Sequence, residues 1–145
     1  MKRVISFVLC LALFVSCFVF GAHAETTTSV VYLEDGSYIL TEITVRNPLA
    51  RATTSGDKKV TYVNSSNKKI YSVTVNGAFT YTYGSSATAT SSTATITIHT
   101  SDAKYVSRNA YCSGASAYAT STFTYGGSTR TLTAKLTCDK YGNLS

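Results

Sequence analysis

The stretch Ser116-Ala-Tyr-Ala-Thr-Ser-Thr-Phe-Thr-Tyr125, followed by Gly126-Gly127 and Ser128-Thr-Arg-Thr-Leu-Thr-Ala-Lys-Leu-Thr137, decides the fold. Two glycines between two alternating runs suit a two-residue hairpin turn, in which both central residues take positive φ. Counting outward from that turn matches Tyr125 with Ser128, Phe123 with Arg130, Ser121 with Leu132, Ala119 with Ala134 and Ala117 with Leu136. That face is mostly apolar and ends near Cys138. The other face pairs Thr124 with Thr129, Thr122 with Thr131, Thr120 with Thr133 and Tyr118 with Lys135, a ladder that tolerates water. Both faces make sense in one register, and a one-residue slip would exchange them.

The same period of two runs upstream. Tyr71, Val73, Val75, Gly77, Phe79, Tyr81 and Tyr83 alternate with small polar residues and read as one strand with an inward aromatic face. Lys59 to Val63 precedes it across Asn64-Ser65-Ser66-Asn67, and an antiparallel register puts Val60 beside Val73 and Tyr62 beside Tyr71. Ala87 to Ala89 and Thr93 to Thr100 are out of phase by one residue across Ser91-Ser92. Such a shift signals a bulge, a break or a crossing between sheets. No segment keeps a helical period. The expected fold is therefore all-β, an antiparallel immunoglobulin-like sandwich of six to eight strands over residues 58–145.

Residues 25–57 are less regular. Val30 to Leu33 and Tyr38 to Val45 flank Glu34-Asp35-Gly36-Ser37 like a hairpin, but Asn47-Pro48 interrupts the pattern and Arg51 to Lys59 is polar. The reading leans to an N-terminal arm, with edge strands as the alternative. Before it, Lys2 and Arg3 lead into an apolar run from Val4 to Phe20 and an Ala22-His-Ala24 ending. That is the pattern of a secretory signal peptide, residues 1–24, cleaved after Ala24. Cleavage leaves 121 of the 145 residues and lowers the net charge from +6 to +4. The expected product is secreted, with no stable membrane insertion.

Export implies an oxidising compartment, and Cys112 and Cys138 are the two cysteines beyond the leader. They are expected to pair. If Tyr105–Cys112 ran beside Ser116–Tyr125, however, a whole strand would separate the two thiols by about 9.6 Å, beyond disulfide reach. The pairing therefore requires Cys112 to lie at a corner or in a facing sheet.

Candidate chemistry is sparse. The seven acids fall mainly in turns or the N-terminal stretch, and no paired carboxylate occupies an inward position. His99 with Asp102 and a serine formally completes a triad, but alternation turns His99 to solvent. Two cysteines and one histidine are too few for a closed zinc site. The expectation is a non-enzymatic protein with no metal and no cofactor. Eleven tyrosines and no tryptophan make aromatic contacts the main resource. Tyr71, Tyr81 and Tyr83 are assigned to the core, which leaves Tyr118, Thr120, Thr122, Thr131 and Lys135 as the candidate binding face. Lys58, Lys59, Lys68 and Lys69 are a second candidate, a basic hairpin end for an anionic envelope polymer. Nucleic acid is not an expected partner of an exported chain.

Lys59-Val-Thr-Tyr-Val63, Lys69-Ile-Tyr-Ser-Val-Thr-Val-Asn-Gly-Ala-Phe-Thr-Tyr81 and the ending Leu136-Thr-Cys-Asp-Lys-Tyr-Gly-Asn-Leu-Ser145 resemble small exported proteins of Gram-positive, Clostridia-like gut bacteria, a family of unknown function. The resemblance covers Lys58 to Ser145 and implies a secreted bacterial source and a shared β-domain design. It transfers no catalytic or binding residue. Some of those relatives carry a cysteine near the position of Ala89, where this chain has none, so their disulfide pattern does not carry over. The expected function is an interaction module for an envelope polyanion, glycan or surface protein. The alternative is a secreted, bacteriocin-like antagonistic factor.

Overall fold

A computed structural model describes residues 25–46 and 52–145. The expected signal peptide, its cleavage site and the Asn47-Pro48 break lie outside the described residues. The rest forms eight antiparallel strands: β1 (Glu25–Tyr32), β2 (Tyr38–Arg46), β3 (Thr53–Val63), β4 (Lys69–Thr82), β5 (Ser86–Ile98), β6 (Lys104–Ser113), β7 (Ser116–Tyr125) and β8 (Ser128–Thr137). They make a five-stranded sheet in the order β1-β2-β3-β4-β5 and a three-stranded sheet in the order β6-β7-β8. The layering is that of the expected sandwich, and strand order simply follows the chain. The smaller sheet lies over β3, β4 and β5, while β1 and β2 extend past it.

The β7–β8 register is the one counted from Gly126-Gly127, from Tyr125 with Ser128 to Ala117 with Leu136. Both glycines have positive φ, 58° and 77°. Val60 lies beside Val73 and Tyr62 beside Tyr71, also as counted. The phase change before Ser91 is a bulge, because Ala78 faces Ser91 and Phe79 faces Ala89. Thr90 is the extra residue, and its hydroxyl donates to the Ala78 carbonyl at 3.1 Å.

Between the sheets, Tyr71, Val73, Val75 and Phe79 meet Ala117, Ala119, Phe123, Ala134 and Leu136, all at most 1% exposed. The rings of Tyr71 and Phe123 stack at 4.3 Å. Burying Tyr71 requires a partner for its hydroxyl. Ser121 supplies it: the Ser121 hydroxyl donates to the Ser107 carbonyl at 2.8 Å and accepts from Tyr71. At Gly77, on the inner face of β4, the opposite sheet leaves no room for a side chain. A Cβ there would lie 2.9 Å from Phe79 Cε2 and 3.0 Å from Ala117 Cβ.

Two expectations are corrected. Residues 25–46 are not an arm but take the alternative reading, strands at the edge of the larger sheet. All eight β1 residues pair with β2, and β2 pairs with β3 from Tyr38 to Arg46. Ile39 and Ile43 pack against the core, and Tyr32 meets Tyr38 at 5.5 Å. The boundary at Asp57/Lys58 therefore falls inside β3. Nor are the cysteines bonded, since both thiols are free, Cys112 exposed and Cys138 buried. β6 runs beside β7, with Cys112 opposite Ala117 and Ala117 opposite Leu136. A whole strand thus separates the two positions, the arrangement that a disulfide cannot span.

Tyr83 also departs from its expected place in the core. It is 77% exposed, beyond the end of β4.

Candidate functional site

The outer face of the three-stranded sheet is built by the period of two. As Ala117, Ala119 and Ser121 turn inward, Tyr118, Thr120 and Thr122 turn outward, and Thr131, Thr133 and Lys135 do the same on β8. The structure brings Tyr118, Thr120, Thr122, Thr131 and Lys135 onto one surface. Thr120 meets Thr133 at 3.4 Å and Thr122 meets Thr131 at 3.0 Å, oxygen to oxygen. These hydroxyl pairs hold the side chains upright and leave a lattice of further donors and acceptors facing water.

One row is different. Tyr111, Tyr118 and Lys135 lie side by side across β6, β7 and β8. The rings of Tyr111 and Tyr118 stack at 4.8 Å with 6° between their planes. Lys135 Nζ lies 5.6 Å from the Tyr118 ring centroid. Tyr118 is thus enclosed by a ring on one flank and an ammonium on the other. Tyr111, 46% exposed on an edge strand, presents the open ring face. Sequence reasoning missed Tyr111. The signal was available, because counting outward from Gly114-Ala115 matches Ser113 with Ser116 and Tyr111 with Tyr118.

The second candidate, the basic hairpin end, does not assemble. Lys58 and Lys59 are consecutive in a strand and point to opposite faces. Lys58 lies beside Ile43 and Val75. Burial pushes its ammonium below the ordinary lysine value, and the nearby Lys135 adds to that. Lys59 Nζ reaches Glu42 Oε2 at 3.6 Å. Lys68 and Lys69 lie at the other end of the β3–β4 connection, where Asn64 Oδ1 accepts from the Ser66 and Lys68 backbone N–H groups. The four ammonium groups therefore form no single patch.

His99 sits on the outer face of the larger sheet. Its Nε2 lies 2.7 Å from Ser72 Oγ, which in turn lies 2.9 Å from Thr61 Oγ1. Desolvation holds the imidazole below its ordinary value, with Lys59 and Lys69 adding to the effect. The geometry resembles a nucleophile–base pair, but Ser72 is fully buried. Asp102 makes no hydrogen bond or ion pair among the described residues. Among those residues no group of three or more His, Cys, Asp or Glu side chains is placed to hold a metal ion. None of their elements is a helix long and apolar enough to cross a membrane.

No family model matches the sequence, and no curated protein or solved structure matches it either.

Proposed function

We propose that this chain is a secreted, non-enzymatic interaction module that engages an extracellular or cell-envelope surface through the outer face of its smaller sheet. The observation that carries the reading is the Tyr111–Tyr118–Lys135 row standing on a threonine lattice. An exposed aromatic face contributes contact area at low entropic cost, and the hydroxyls around it exchange water for ligand hydrogen bonds easily. With Lys135 as the only cation in that row, the face suits a neutral or weakly anionic ligand better than a dense polyanion.

The test is a titration of the protein on purified peptidoglycan, teichoic acid and mucin at low and high salt. Saturable binding that falls about tenfold in Tyr111→Ala or Tyr118→Ala and changes little with salt supports the face. Binding lost at high salt and unchanged in both variants would move the contact to the lysines. Leakage from anionic vesicles, with no binding to any of the three polymers, would favour the antagonistic-factor reading instead.

A further inference from the structure

At the end of the sandwich away from Gly126-Gly127, the last residues fold back on themselves. The Asp139 carboxylate accepts the backbone N–H groups of Tyr141 and Asn143 at 2.8 and 2.9 Å and the Asn143 side-chain amide at 2.8 Å. Ser145 exchanges two backbone hydrogen bonds of 2.9 Å with Thr137. Gly142 closes the turn at φ 87°, and a Cβ there would lie 2.6 Å from Tyr81 Cζ. The turn therefore rests directly on the Tyr81 ring. Between this turn and the uncovered inner face of β1 and β2 lies a pocket of about 250 Å³, lined in part by Glu25, Thr27, Thr54, Tyr81, Tyr141 and Asn143.

The lining is not that of a packing void. Glu25 has no ion-pair partner among the described residues. Thr54 is 95% buried, and its hydroxyl has no hydrogen-bond partner among the described residues. Against the lining residue Tyr141, Tyr83 stands edge-on at 5.2 Å, and Lys140 Nζ lies 5.2 Å from the Tyr141 ring centroid. Two effects choose the ligand class. The Lys140 ammonium already occupies the neighbourhood of the Tyr141 ring, which disfavours a second cation there. In the chain cleaved after Ala24 the Glu25 carboxylate stands beside the α-ammonium of the same residue, so the two charges offset and neither an anion nor a cation is favoured there. What remains is a neutral group rich in hydroxyls, with an apolar face for a tyrosine and donors for a carboxylate. The volume lies below the range of about 300–1,000 Å³ typical of drug-sized ligands and suits one ring.

We propose that this pocket binds a single neutral pyranose unit, its C–H face on the tyrosine wall and its hydroxyls on Glu25 and Asn143. It shares no residue with the Tyr111–Tyr118–Lys135 row, so either site stands without the other.

The experiment is a backbone-amide NMR titration of the purified protein with methyl α-D-glucopyranoside, N-acetylglucosamine and choline. A pyranose is expected to give saturable shifts at Tyr141, Gly142 and Asn143. Tyr141→Ala and Glu25→Gln should each weaken binding by about tenfold, and Tyr118→Ala should leave it unchanged. Glu25 is exposed at the start of an edge strand, so its isosteric replacement keeps the fold and removes only the charge and one acceptor oxygen. The proposal is overturned by an absence of shifts with both sugars, by choline shifting these amides in their place, or by unchanged affinity in both pocket variants.

Discussion

Replacing Gly77 with alanine tests whether the two sheets are held apart by the minimum distance their side chains allow. The added methyl would lie 2.9 and 3.0 Å from two carbons of the Phe79 ring and 3.0 Å from Ala117 Cβ. Both neighbours are fully buried, so neither can swing out to solvent. Overpacking of this kind costs about 1–3 kcal/mol. Against it stands the lower chain entropy of alanine in the unfolded state, worth about 0.4–1 kcal/mol where the backbone suits an L-residue. Gly77 is not among the positive-φ glycines, so that gain applies. The net effect is a loss of about 1–2 kcal/mol, since the steric term is the larger. For a chain of this size the thermal midpoint falls by about 4–8 °C. Ala117→Gly supplies an internal control. On its own it is destabilising, because it removes a buried methyl and adds backbone freedom. Combined with Gly77→Ala it relieves one of the clashes, so the double variant loses less than the two single losses added together, by about 1 kcal/mol. Urea unfolding of the four proteins measures the cycle. A Gly77→Ala protein as stable as the parent, or strictly additive losses, would show that the sheets have slack at this point and refute the reasoning.

Phe123→Ala empties the place stacked against Tyr71 and is expected to cost about 3–5 kcal/mol by urea denaturation; a loss below about 1 kcal/mol would mean that Phe123 is not central to the core. In native protein, iodoacetamide followed by peptide mass spectrometry should modify Cys112 and leave Cys138 unmodified until denaturant is added, because Cys138 is buried and burial raises its thiol pKa. A cross-linked Cys112–Cys138 peptide would contradict the strand order. The folded-state pKa of His99 lies below its ordinary value of 6.5, so between the two values the unfolded chain binds more protons than the folded one. Its contribution to stability is therefore complete above pH 6.5 and is lost as the pH falls through the folded-state value. Denaturation midpoints measured across that window should drop on acidification in the parent and flatten in His99→Gln. An unchanged slope in the variant would assign the effect elsewhere.

Much of this fold is legible in particular residues. Gly126-Gly127 sets the β7–β8 register because a two-residue turn leaves no freedom in counting. The phase change before Ser91 reports the Thr90 bulge because a period of two cannot absorb an extra residue silently. What the pattern did not reveal depends on assignments that local periodicity does not carry. The Gly114-Ala115 turn beside Cys112 already pairs its strand with β7, but the pairing of the thiols rested on the oxidising compartment, and that argument is indifferent to geometry. Glu25 to Arg46 looked weak because β1 is exposed along its whole length and β2 is only half-buried. An overhanging edge has a diluted alternation even when every main-chain partner is in place. The Tyr118 face was readable from one hairpin, and Tyr111 needed the neighbouring one. The pocket beside Tyr141 was not readable, since it joins β1 to the residues after β8, which lie far from it in the sequence.

The succession of strands has a kinetic consequence. Among the described residues, every hydrogen-bonded strand pair in both sheets joins neighbours in sequence, and the one change of sheet occurs in the few residues between Ile98 and Lys104. Sandwiches whose strands interleave must close long loops before those contacts repay the lost entropy, and they fold slowly for that reason. Here each hairpin zips from its own turn, and the long-range events reduce to laying one finished sheet on the other and seating the C-terminal turn. Such a chain is expected to fold fast for an all-β protein, with a rate that responds more to changes in its turns than to changes in its core.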